Sequence, residues 1–569
     1  MRRHCSRNAP VIVAALLAGC ALADTPSAPG ATTEFLPGSG PWVVDFEDGT
    51  SLATARAAIQ DDTADWFHPR AADDAIIVLE DMTPTQHAQI AAHPALEVLE
   101  PSLPYQALGY PNDPMRSHQW NFDRVGVDQG WRLSRGSGVV VAIIDTGVAP
   151  VADLEGTALL EGVSFVRGES SAVDENGHGT HVAGTIAQAT HNGIGVAGIA
   201  PEVTILPLKA LSASGNGQSE WVAAAIDEAG DQGASIINLS LGGGRSEVIA
   251  RAVRKAQRRG MIVVAAAGNT GREGVGSPAL LPGVVAVSAT GPSDTRAPYS
   301  TYGPEVVLSA PGGDKSVVGG GILQDTVDRH SEGGHAYKEF QGTSMATPHV
   351  AGAAAIIRAS TAGSSTYVQS ILTGSALDLG PPGHDPVFGH GRLDVGSAMR
   401  RVVLQERGVL FAISGFVAWL AATTFGARRG RRRVVLTAAL VSGGVFALPL
   451  LPLPPSALVE LLSRPFLLWA DVLLGTGWSR SLLVLSAALP AALTFVLGPT
   501  RTFGPWVAGL SAGIGIHLIY GAATGSLALL WLPGPLSSCW LALNGFAAGA
   551  CAITTLAVQR LSERTGDRP

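Results

Sequence analysis

Ser344 lies in a segment whose composition points to nucleophilic chemistry. It follows Gly342 and Thr343 and precedes an apolar run of small residues at 350–357. This pattern predicts a buried helix with Ser344 at its start. The N-terminal end of a helix is positively polarised and carries backbone N–H groups that lack intrahelical partners. Because such groups can bind an oxyanion, a serine placed there is suited to acyl transfer.

A serine hydroxyl becomes a good nucleophile only when a neighbouring base takes its proton. His178 lies between two glycines at the predicted start of another helix, and Asp145 ends the apolar run 139–144. That run is typical of a central parallel strand covered on both faces. Near neutral pH a histidine is the natural base, and a carboxylate orients it. A serine in such a turn is by itself most often a helix cap, but the three residues together favour a catalytic triad.

The segments around these residues resemble those of the subtilisin-like serine proteases, the subtilases. The matching text is AIIDTGV at 142–148, GHGTHVAG at 177–184 and GTSMATP at 342–348. The resemblance covers roughly residues 110–400. It implies an α/β fold with a doubly wound parallel sheet, a serine endopeptidase activity on peptides or proteins, and synthesis as a zymogen.

Asparagine and glycine positions extend the predicted site. The strand at 261–267 ends in Gly268 and Asn269, and the resemblance implies that Asn269 supplies the oxyanion hole. Asn238 is the competing asparagine and is predicted to be structural. The resemblance also implies that Ser240, Leu241 and Gly242 form the edge that pairs with extended substrate, with Gly276 at the floor of the P1 pocket. A glycine there favours large apolar or aromatic P1 residues. Without the family, residues 240–242 read equally well as a strand-to-helix turn.

Charge and cysteine content exclude some classes of protein. The chain has 569 residues and a formal net charge of −8, and its pI near 6.0 argues against nucleic acid as a partner. Its mean hydropathy of +0.26 is high for a soluble protein, and the apolar excess follows residue 404. None of the four cysteines lies in the predicted peptidase domain at 107–400, so neither a disulfide framework nor a zinc-cysteine site is available there.

The N-terminal residues predict export. Residues 1–23 have a charged start and a short apolar core, as in a bacterial signal peptide. Leu17-Ala18-Gly19-Cys20 resembles a lipobox, which implies a lipid on Cys20. The alternative is ordinary cleavage after the A-x-A sequence at 21–23. Residues 24–40 are rich in Pro, Gly, Ser and Thr and are predicted to be a linker.

Residues 41–106 alternate strand and helix signals and resemble the subtilase inhibitory propeptide. Such a segment is a small α+β ferredoxin-like domain that blocks the cleft of its own protease until it is cut. The predicted cleavage region is 105–110, before Pro111. The alternative is an ordinary N-terminal accessory domain.

A structural calcium ion is a weaker implication of the resemblance. Asp153 matches a position that supplies a carboxylate ligand, Asn192 lies in a loop that supplies amide and carbonyl oxygens, and Gln119 is a further candidate. Calcium prefers such oxygen donors, but Asp and Asn in turns also serve as backbone caps. The insert 312–341 is predicted to be a surface loop, and we expect no metal role for its His330 and His335. No cofactor is expected to take part in the chemistry.

Residues 401–559 predict an all-α transmembrane region of about five helices. The apolar segments are 409–425, 434–453, 482–497, 506–522 and 536–558, each near the ~20 residues that a spanning helix needs. The arginine cluster at 428–433 predicts a cytoplasmic loop. Five spans then place the tail 560–569 inside and the peptidase on the periplasmic or extracellular side of a bacterial cell membrane. Segment 456–478 is predicted to be interfacial, since a sixth span would put the C-terminus outside.

Two other functions remain open from the sequence. An inactive subtilase fold could capture peptides only, or the membrane region could be a transporter or signalling part that the peptidase regulates.

The match of residues 509–513 to G-x-S-x-G, with His517 nearby, suggests an intramembrane protease. However, this motif requires a strand–turn–helix context, and small residues in a membrane helix usually mark close packing.

Overall fold

A computed structural model describes residues 41–101 and 111–565, with gaps at 69–71, 73, 332, 362, 426–429, 447, 449–456, 475–477, 530–531 and 533. The predicted signal peptide with Cys20, the linker 24–40 and the cleavage region 105–110 lie outside the described residues. The chain forms two compact units, residues 1–108 and 109–569, and each is described by itself.

The first unit is a small antiparallel sheet with two helices. Its elements are β1 (Trp42–Phe46), α1 (Leu52–Ile59), β2 (Ile76–Leu79), α2 (Pro84–Ala91) and β3 (Leu96–Pro101). The sheet order is β2-β1-β3, and an isolated antiparallel bridge joins Trp66 to Ile77. Helix α2 has a defined start: Thr83 forms a capping box with Gln86, and Pro84 occupies the first turn.

The second unit begins with a parallel sheet and its covering helices. Its strands are β4 (Val140–Asp145), β5 (Ala158–Leu159), β6 (Val163–Ser164), β7 (Thr204–Lys209), β8 (Ile236–Leu239), β9 (Ile262–Ala266), β10 (Val285–Thr290) and β11 (Val306–Pro311). Its helices are α3 (Trp120–Val125), α4 (Val127–Trp131), α5 (His178–Ala187), α6 (Ser219–Asp231), α7 (Glu247–Arg258), α8 (Thr343–Ser360), α9 (Ser365–Ser375) and α10 (Val395–Arg400). The sheet order is β11-β10-β9-β8-β4-β7-β5, with β6 also beside β7, and the pairing is parallel.

Strand β4 shows why the sheet is covered on both faces. Val141 and Ile143 belong to the core formed with α5 and α8, whereas Ala142 and Ile144 belong to the core formed with α6 and α7. Successive side chains of a strand point to opposite faces, so an unbroken apolar run requires two cores. The doubly wound architecture that the sequence predicts is therefore correct.

The chain crosses over at β4, and this crossing places the candidate site. Strand β7 pairs with one side of β4, and the chain then passes to β8 on its other side. Open α/β sheets bind ligands at the carboxyl ends of strands where the winding direction changes. Asp145 is the last residue of β4, so it lies at this switch point.

The insert at 312–341 differs from its predicted form as a surface loop. It contains an antiparallel hairpin of β12 (Ile322–Val327) and β13 (His335–Phe340). Gln324, Asp325 and Thr326 of β12 are fully buried. The glycines around the hairpin gave a loop signal, but β12 packs against α5, which makes the insert part of the domain.

The C-terminal residues form a helical region. Its helices are α11 (Gly408–Thr424), α12 (Arg431–Gly443), α13 (Ala457–Ser463), α14 (Trp469–Leu474), α15 (Trp478–Leu482), α16 (Ala488–Leu497), α17 (Gly504–Thr524) and α18 (Gly534–Thr565). Among the described residues, three helices are long and apolar enough to cross a membrane: Val395–Thr424, Gly504–Thr524 and Pro535–Glu563. The other two predicted spans coincide with shorter helices, α12 of 13 residues and α16 of 10. Segment 456–478, predicted to be interfacial, holds the short helices α13 and α14.

Two arginines join the helical region to the end of α8. Arg407 donates through Nη2 to the carbonyl oxygen of Ser360 at 3.0 Å, and Arg464 donates through Nη1 to that of Ala359 at 2.9 Å. Both arginines are buried. The last carbonyls of a helix lack intrahelical partners and favour cations. The C-terminal end of α8 is therefore capped by residues from outside the peptidase domain.

Helices α17 and α18 pack closely at glycines. A Cβ atom built on Gly515 would lie 2.8 Å from the carbonyl oxygen of Gly545 and 3.1 Å from the nitrogen of Gly549. Because these neighbours are backbone atoms, they cannot move aside without separating the helices. Small residues at this contact let the two backbones approach, as is common in membrane helices.

We expect Gly515→Ala to destabilise the helical region by about 1–3 kcal/mol, because the methyl group overpacks this contact. The measurement is thermal unfolding of the detergent-solubilised protein. The matched control is Gly549→Ala, whose methyl group would meet no atom within 4 Å. Equal shifts for the two variants would show that α17 and α18 do not pack as described.

Candidate active site

Asp145 and His178 form the best-defined pair in the site. Asp145 is fully buried at the end of β4. Its Oδ1 accepts hydrogen bonds from His178 Nδ1 at 2.7 Å and from the Thr146 backbone N–H at 2.8 Å. An ionised carboxylate only accepts hydrogen bonds, so His178 carries its proton on Nδ1 and leaves Nε2 able to accept one.

The surroundings of His178 raise its basicity. Burial lowers the pKa of His178, but the charge and hydrogen bond of Asp145, with a smaller contribution from Asp174, raise it by more. The pKa therefore lies above its ordinary value of 6.5. A partly buried imidazolium beside a carboxylate is stabilised in this way. His178 can accept a proton and hold the resulting charge.

Gly179 is required for the contact between the histidine helix and the aspartate strand. A Cβ atom at Gly179 would lie 2.2 Å from the carbonyl oxygen of Gly147 and 3.1 Å from the Asp145 Cβ. Any side chain would push α5 away from β4 and lengthen the 2.7 Å bond between His178 and Asp145. The glycine that follows the histidine in the sequence thus has a steric reason.

Ser344 is held at the start of α8 by an exchange of hydrogen bonds with Ser240. Ser344 Oγ donates to the carbonyl oxygen of Ser240 at 3.1 Å, and Ser240 Oγ donates to the carbonyl oxygen of Ser344 at 2.8 Å. That second carbonyl is free because Pro348, four residues later, has no N–H to donate to it. The sequence showed Pro348, but we did not predict its consequence for Ser344.

His178, Ser344 and Asn269 line one cleft, together with Lys315 and Phe340. Within the described residues, the Ser344 hydroxyl is bonded to Ser240 and not to His178. Catalytic hydrogen bonds are often loose or absent without substrate. The arrangement therefore brings the predicted triad to one cleft, with the Asp145–His178 half already bonded.

Asn269 lines this cleft, and its side-chain oxygen is engaged. Its Oδ1 accepts hydrogen bonds from the backbone N–H and the hydroxyl of Thr343, both at 2.9 Å. Because the oxygen is used in this way, Nδ2 is the side-chain group that remains to donate a hydrogen bond. Asn238, by contrast, is fully buried and donates to Ser240 Oγ at 2.9 Å, which is a structural contact.

A second cavity of about 450 Å³ continues from His178. Ser240, Leu241 and Gly242 line it, as predicted for the substrate edge. Gly276 is not among its lining residues. The following residues, Ser277 and Pro278, are, because Ser277 pairs with Gly243 through backbone hydrogen bonds of 2.9 and 3.2 Å. The sequence correctly predicted Ser240, Leu241 and Gly242 as lining residues. On the other side of the cavity, the lining begins at Ser277, one residue after the predicted Gly276.

The residues predicted to bind calcium lie together but are engaged by N–H donors. Asp153 is fully buried and accepts from Asn192 Nδ2 at 2.9 Å and from the Val196 N–H at 2.8 Å. Gln119 Oε1 accepts from the Ala197 N–H at 2.9 Å. Burial raises the pKa of Asp153 from 3.8 to about 7. As arranged, this set does not fit an all-oxygen calcium cage, and no catalytic step is assigned to a metal.

The other polar candidates are placed apart from the cleft. His335 Nδ1 lies 2.8 Å from Asp325 Oδ1 in the β12–β13 hairpin, and His330 is in the exposed turn between the strands. Ser511 and His517 both lie within α17 and are buried. Since α17 is one continuous helix, the strand–turn–helix context for a serine nucleophile at Ser511 is missing.

Comparison with known proteins identifies the family. A model described as "Subtilase family" matches residues 136–391. The "Thermostable alkaline protease" of Halalkalibacterium halodurans is 40% identical over 265 residues, which are 46% of this chain and 68% of that protein. "Subtilisin Savinase" of Lederbergia lenta is 39% identical over 288 residues, 50% of this chain and 100% of that protein. A solved structure of a protease from Pseudoalteromonas arctica is 32% identical, with a TM-score of 0.48 over 51% of this chain and 99% of its own.

A parallel α/β sheet that brings serine, histidine and aspartate side chains together is the arrangement of a serine hydrolase. The sequence comparisons then make the assignment specific: the chain belongs to the subtilase family. It is a serine endopeptidase, and its substrates are peptides or proteins.

We expect Ser240→Ala to destabilise the peptidase domain by about 1 kcal/mol, because it removes the hydrogen bond to the partly buried Ser344 carbonyl. Thermal unfolding of a Ser344→Ala background, which cannot digest itself, measures this. The control is Ser277→Ala in the same cleft, whose hydroxyl has no hydrogen-bond partner among the described residues. If Ser277→Ala is as destabilising as Ser240→Ala, the bond to the Ser344 carbonyl does not stabilise α8.

Proposed function

We propose that this protein is a membrane-held serine endopeptidase, made as a zymogen, that cleaves peptide bonds through Asp145, His178 and Ser344. The observation that carries the proposal is the 2.7 Å hydrogen bond between His178 Nδ1 and Asp145 Oδ1 in a cleft that Ser344 also lines. It provides an oriented base beside a hydroxyl at a helix start.

The chemical steps follow from this geometry. His178 Nε2 takes the proton of Ser344 Oγ as that oxygen attacks the scissile carbonyl carbon. His178 then gives the proton to the leaving amine, and the peptide C–N bond breaks to leave an acyl-enzyme. Water attacks the ester with His178 again as base, which releases the acid and restores Ser344. Asp145 keeps its charge throughout and stabilises the imidazolium.

Asn269 is proposed to stabilise the oxyanion. Asn269 lines the cleft, and because its oxygen is bonded to Thr343, Nδ2 is the atom that remains to donate. The backbone N–H of Ser344, at the start of α8, is the second donor. Such donors bind the charge that develops on the carbonyl oxygen in the transition state, and losing one side-chain donor typically slows turnover by about 100- to 1,000-fold.

The substrate is proposed to bind as an extended strand along residues 240–244. This edge carries three consecutive glycines, so a peptide can approach its backbone groups without obstruction. The adjoining cavity is lined by apolar side chains that include Leu241, Val222, Ile249 and Pro278. This lining supports a preference for large apolar or aromatic side chains in the part of the peptide that the cavity holds.

The first unit is proposed to be the inhibitory propeptide. It is compact in itself, with its own hydrophobic core. A domain that folds alone can act as a separate inhibitor once the chain behind it is cut. The sequence order, directly before the peptidase, supports this role over that of an accessory domain.

The C-terminal region is proposed to hold the peptidase at a bacterial cell membrane. Three described helices are long and apolar enough to span, and the basic residues at 428–433 favour the cytoplasmic side for the turn between α11 and α12. An odd number of spans, three or five, places the peptidase on the periplasmic or extracellular side and residues 560–569 inside. A lipid on Cys20 would add a second anchor on the same side as the peptidase.

Ser344→Ala should abolish labelling by a fluorophosphonate probe and leave the segment 41–106 attached, because both reactions need the serine nucleophile. In-gel fluorescence and intact-protein mass spectrometry of the detergent-solubilised protein measure the two results. Asn269→Ala is the graded comparison: it should still be labelled, but more slowly, since the nucleophile is intact.

Labelling that persists in Ser344→Ala would assign the reaction to another residue. Absence of labelling in the wild type would favour the inactive peptide-binding alternative. Removal of residues 41–106 from Ser344→Ala would show that another protease processes the chain and would contradict self-activation.

The pH dependence follows from the raised pKa of His178. Only the neutral imidazole can take the serine proton, so kcat/KM should rise with pH through a midpoint above 6.5. In Asp145→Asn the carboxylate charge is gone while burial remains. The midpoint should therefore move to lower pH, and kcat should fall by about 10,000-fold. Hydrolysis of a chromogenic peptide across a range of pH on both sides of that midpoint measures both, and an unchanged midpoint would contradict the assigned role of Asp145.

A further inference from the structure

Helices α11 and α12 form an antiparallel pair with a groove along one side. Gly443 lies against Phe411, and Gly415 lies against Val435 and Ala439, so the C-terminal end of α11 meets the N-terminal end of α12. The groove has a cavity volume of about 560 Å³. It extends from Phe411 to Trp419, eight residues or about 12 Å along α11.

Most of the groove is apolar and open to the surroundings of the helices. Gly415 and Ala439 are small and form its floor, whereas Phe416, Trp419 and Leu436 stand beside it. The last three are 62%, 46% and 51% exposed. Exposed aromatic and aliphatic side chains of this kind are suited to contact with an acyl chain.

One end of the groove is cationic. Arg431 and Arg432, the first two residues of α12, line it beside Trp419. Neither forms a salt bridge in the part of the chain that the structure describes, and Arg431 Nε is buried without a hydrogen-bond partner there. The N-terminal end of α12 adds its own positive polarisation. Two adjacent guanidinium groups at a helix start thus present unshared positive charge at the end of an apolar groove.

We propose that this groove binds one anionic phospholipid. Its phosphate contacts Arg431 and Arg432, and its acyl chain lies over Gly415 between Phe416 and Leu436. This inference rests on the proposed membrane insertion and goes beyond the proposed proteolysis. Charge complementarity selects an anionic lipid: a neutral apolar partner would leave both guanidinium groups unpaired, whereas basic pockets between membrane helices suit acidic headgroups. Trp419 at the charged end fits the interfacial position that tryptophan prefers.

Native mass spectrometry of the full-length protein in detergent tests the proposal, with equal amounts of phosphatidylglycerol and phosphatidylcholine as probes. We expect the wild type to retain one phosphatidylglycerol preferentially. The double variant Arg431→Gln/Arg432→Gln should reduce its occupancy about tenfold or more, since each basic residue contributes to headgroup binding. The matched control is Arg433→Gln, because the Arg433 guanidinium lies over the Trp506 ring, 5.9 Å from its centroid, and does not line the groove.

A second variant, Gly415→Leu, keeps both arginines and fills the floor of the groove. It should also lose the lipid. Retention in this variant would mean that the lipid is held by surface charge alone, and equal retention in the double variant would exclude the arginines; either result overturns the proposal. A competition experiment with inorganic phosphate distinguishes a lipid headgroup from a free anion. If inorganic phosphate displaces phosphatidylglycerol at the same concentration, the site binds a free anion and the lipid proposal is wrong. Fluorophosphonate labelling and thermal unfolding of the same samples report separately on proteolytic competence and folding.

Discussion

Helix α8 is the element on which the rest of the structure depends, because both of its ends hold functional groups and its body is inaccessible to solvent. Every residue of α8 except Ser344 is buried. At its start, Pro348 has no N–H to bond to the carbonyl oxygen of Ser344, and the hydroxyl of Ser240 donates a hydrogen bond to that oxygen at 2.8 Å. This bond connects the serine to the end of β8.

The other end of α8 connects the peptidase to the helical region. Arg407 and Arg464 satisfy its last carbonyls, and α10 continues through a π-helical segment, Arg401–Arg407, into α11. Ser344 and Ser360 are sixteen residues apart, or about 24 Å along the helix. The cleft and the helical region therefore contact opposite ends of one rigid element.

Close approach of backbones explains several glycines that sequence motifs alone only mark. Gly179 admits the carbonyl of Gly147 and thereby brings His178 to Asp145. The backbones of α17 and α18 come into close contact at Gly515 and Gly545, where neither residue has a side chain. In both cases a backbone atom distant in sequence leaves no room for a side chain, so glycine is required. A sequence motif shows that the glycine is present but not which atom requires it. The glycine-rich insert at 312–341 shows the opposite case, since its glycines lie around a hairpin whose first strand is buried.

The sequence by itself determined the fold class, because an unbroken apolar run such as residues 140–144 needs a core on each face. It also determined which residue types could act together, since Asp145, His178 and Ser344 each stand at the predicted end of an element. Tertiary structure alone decided which side chains bond to the backbone carbonyls that a helix leaves free. Ser240 bonds to the Ser344 carbonyl, and Arg407 and Arg464 bond to the last carbonyls of α8. Tertiary structure also decided that Ser277 and Pro278, rather than Gly276, line the cavity. Those contacts join residues tens to more than a hundred positions apart. Local periodicity carries no information on such distances, whereas it fully specifies which face of a strand or helix is apolar.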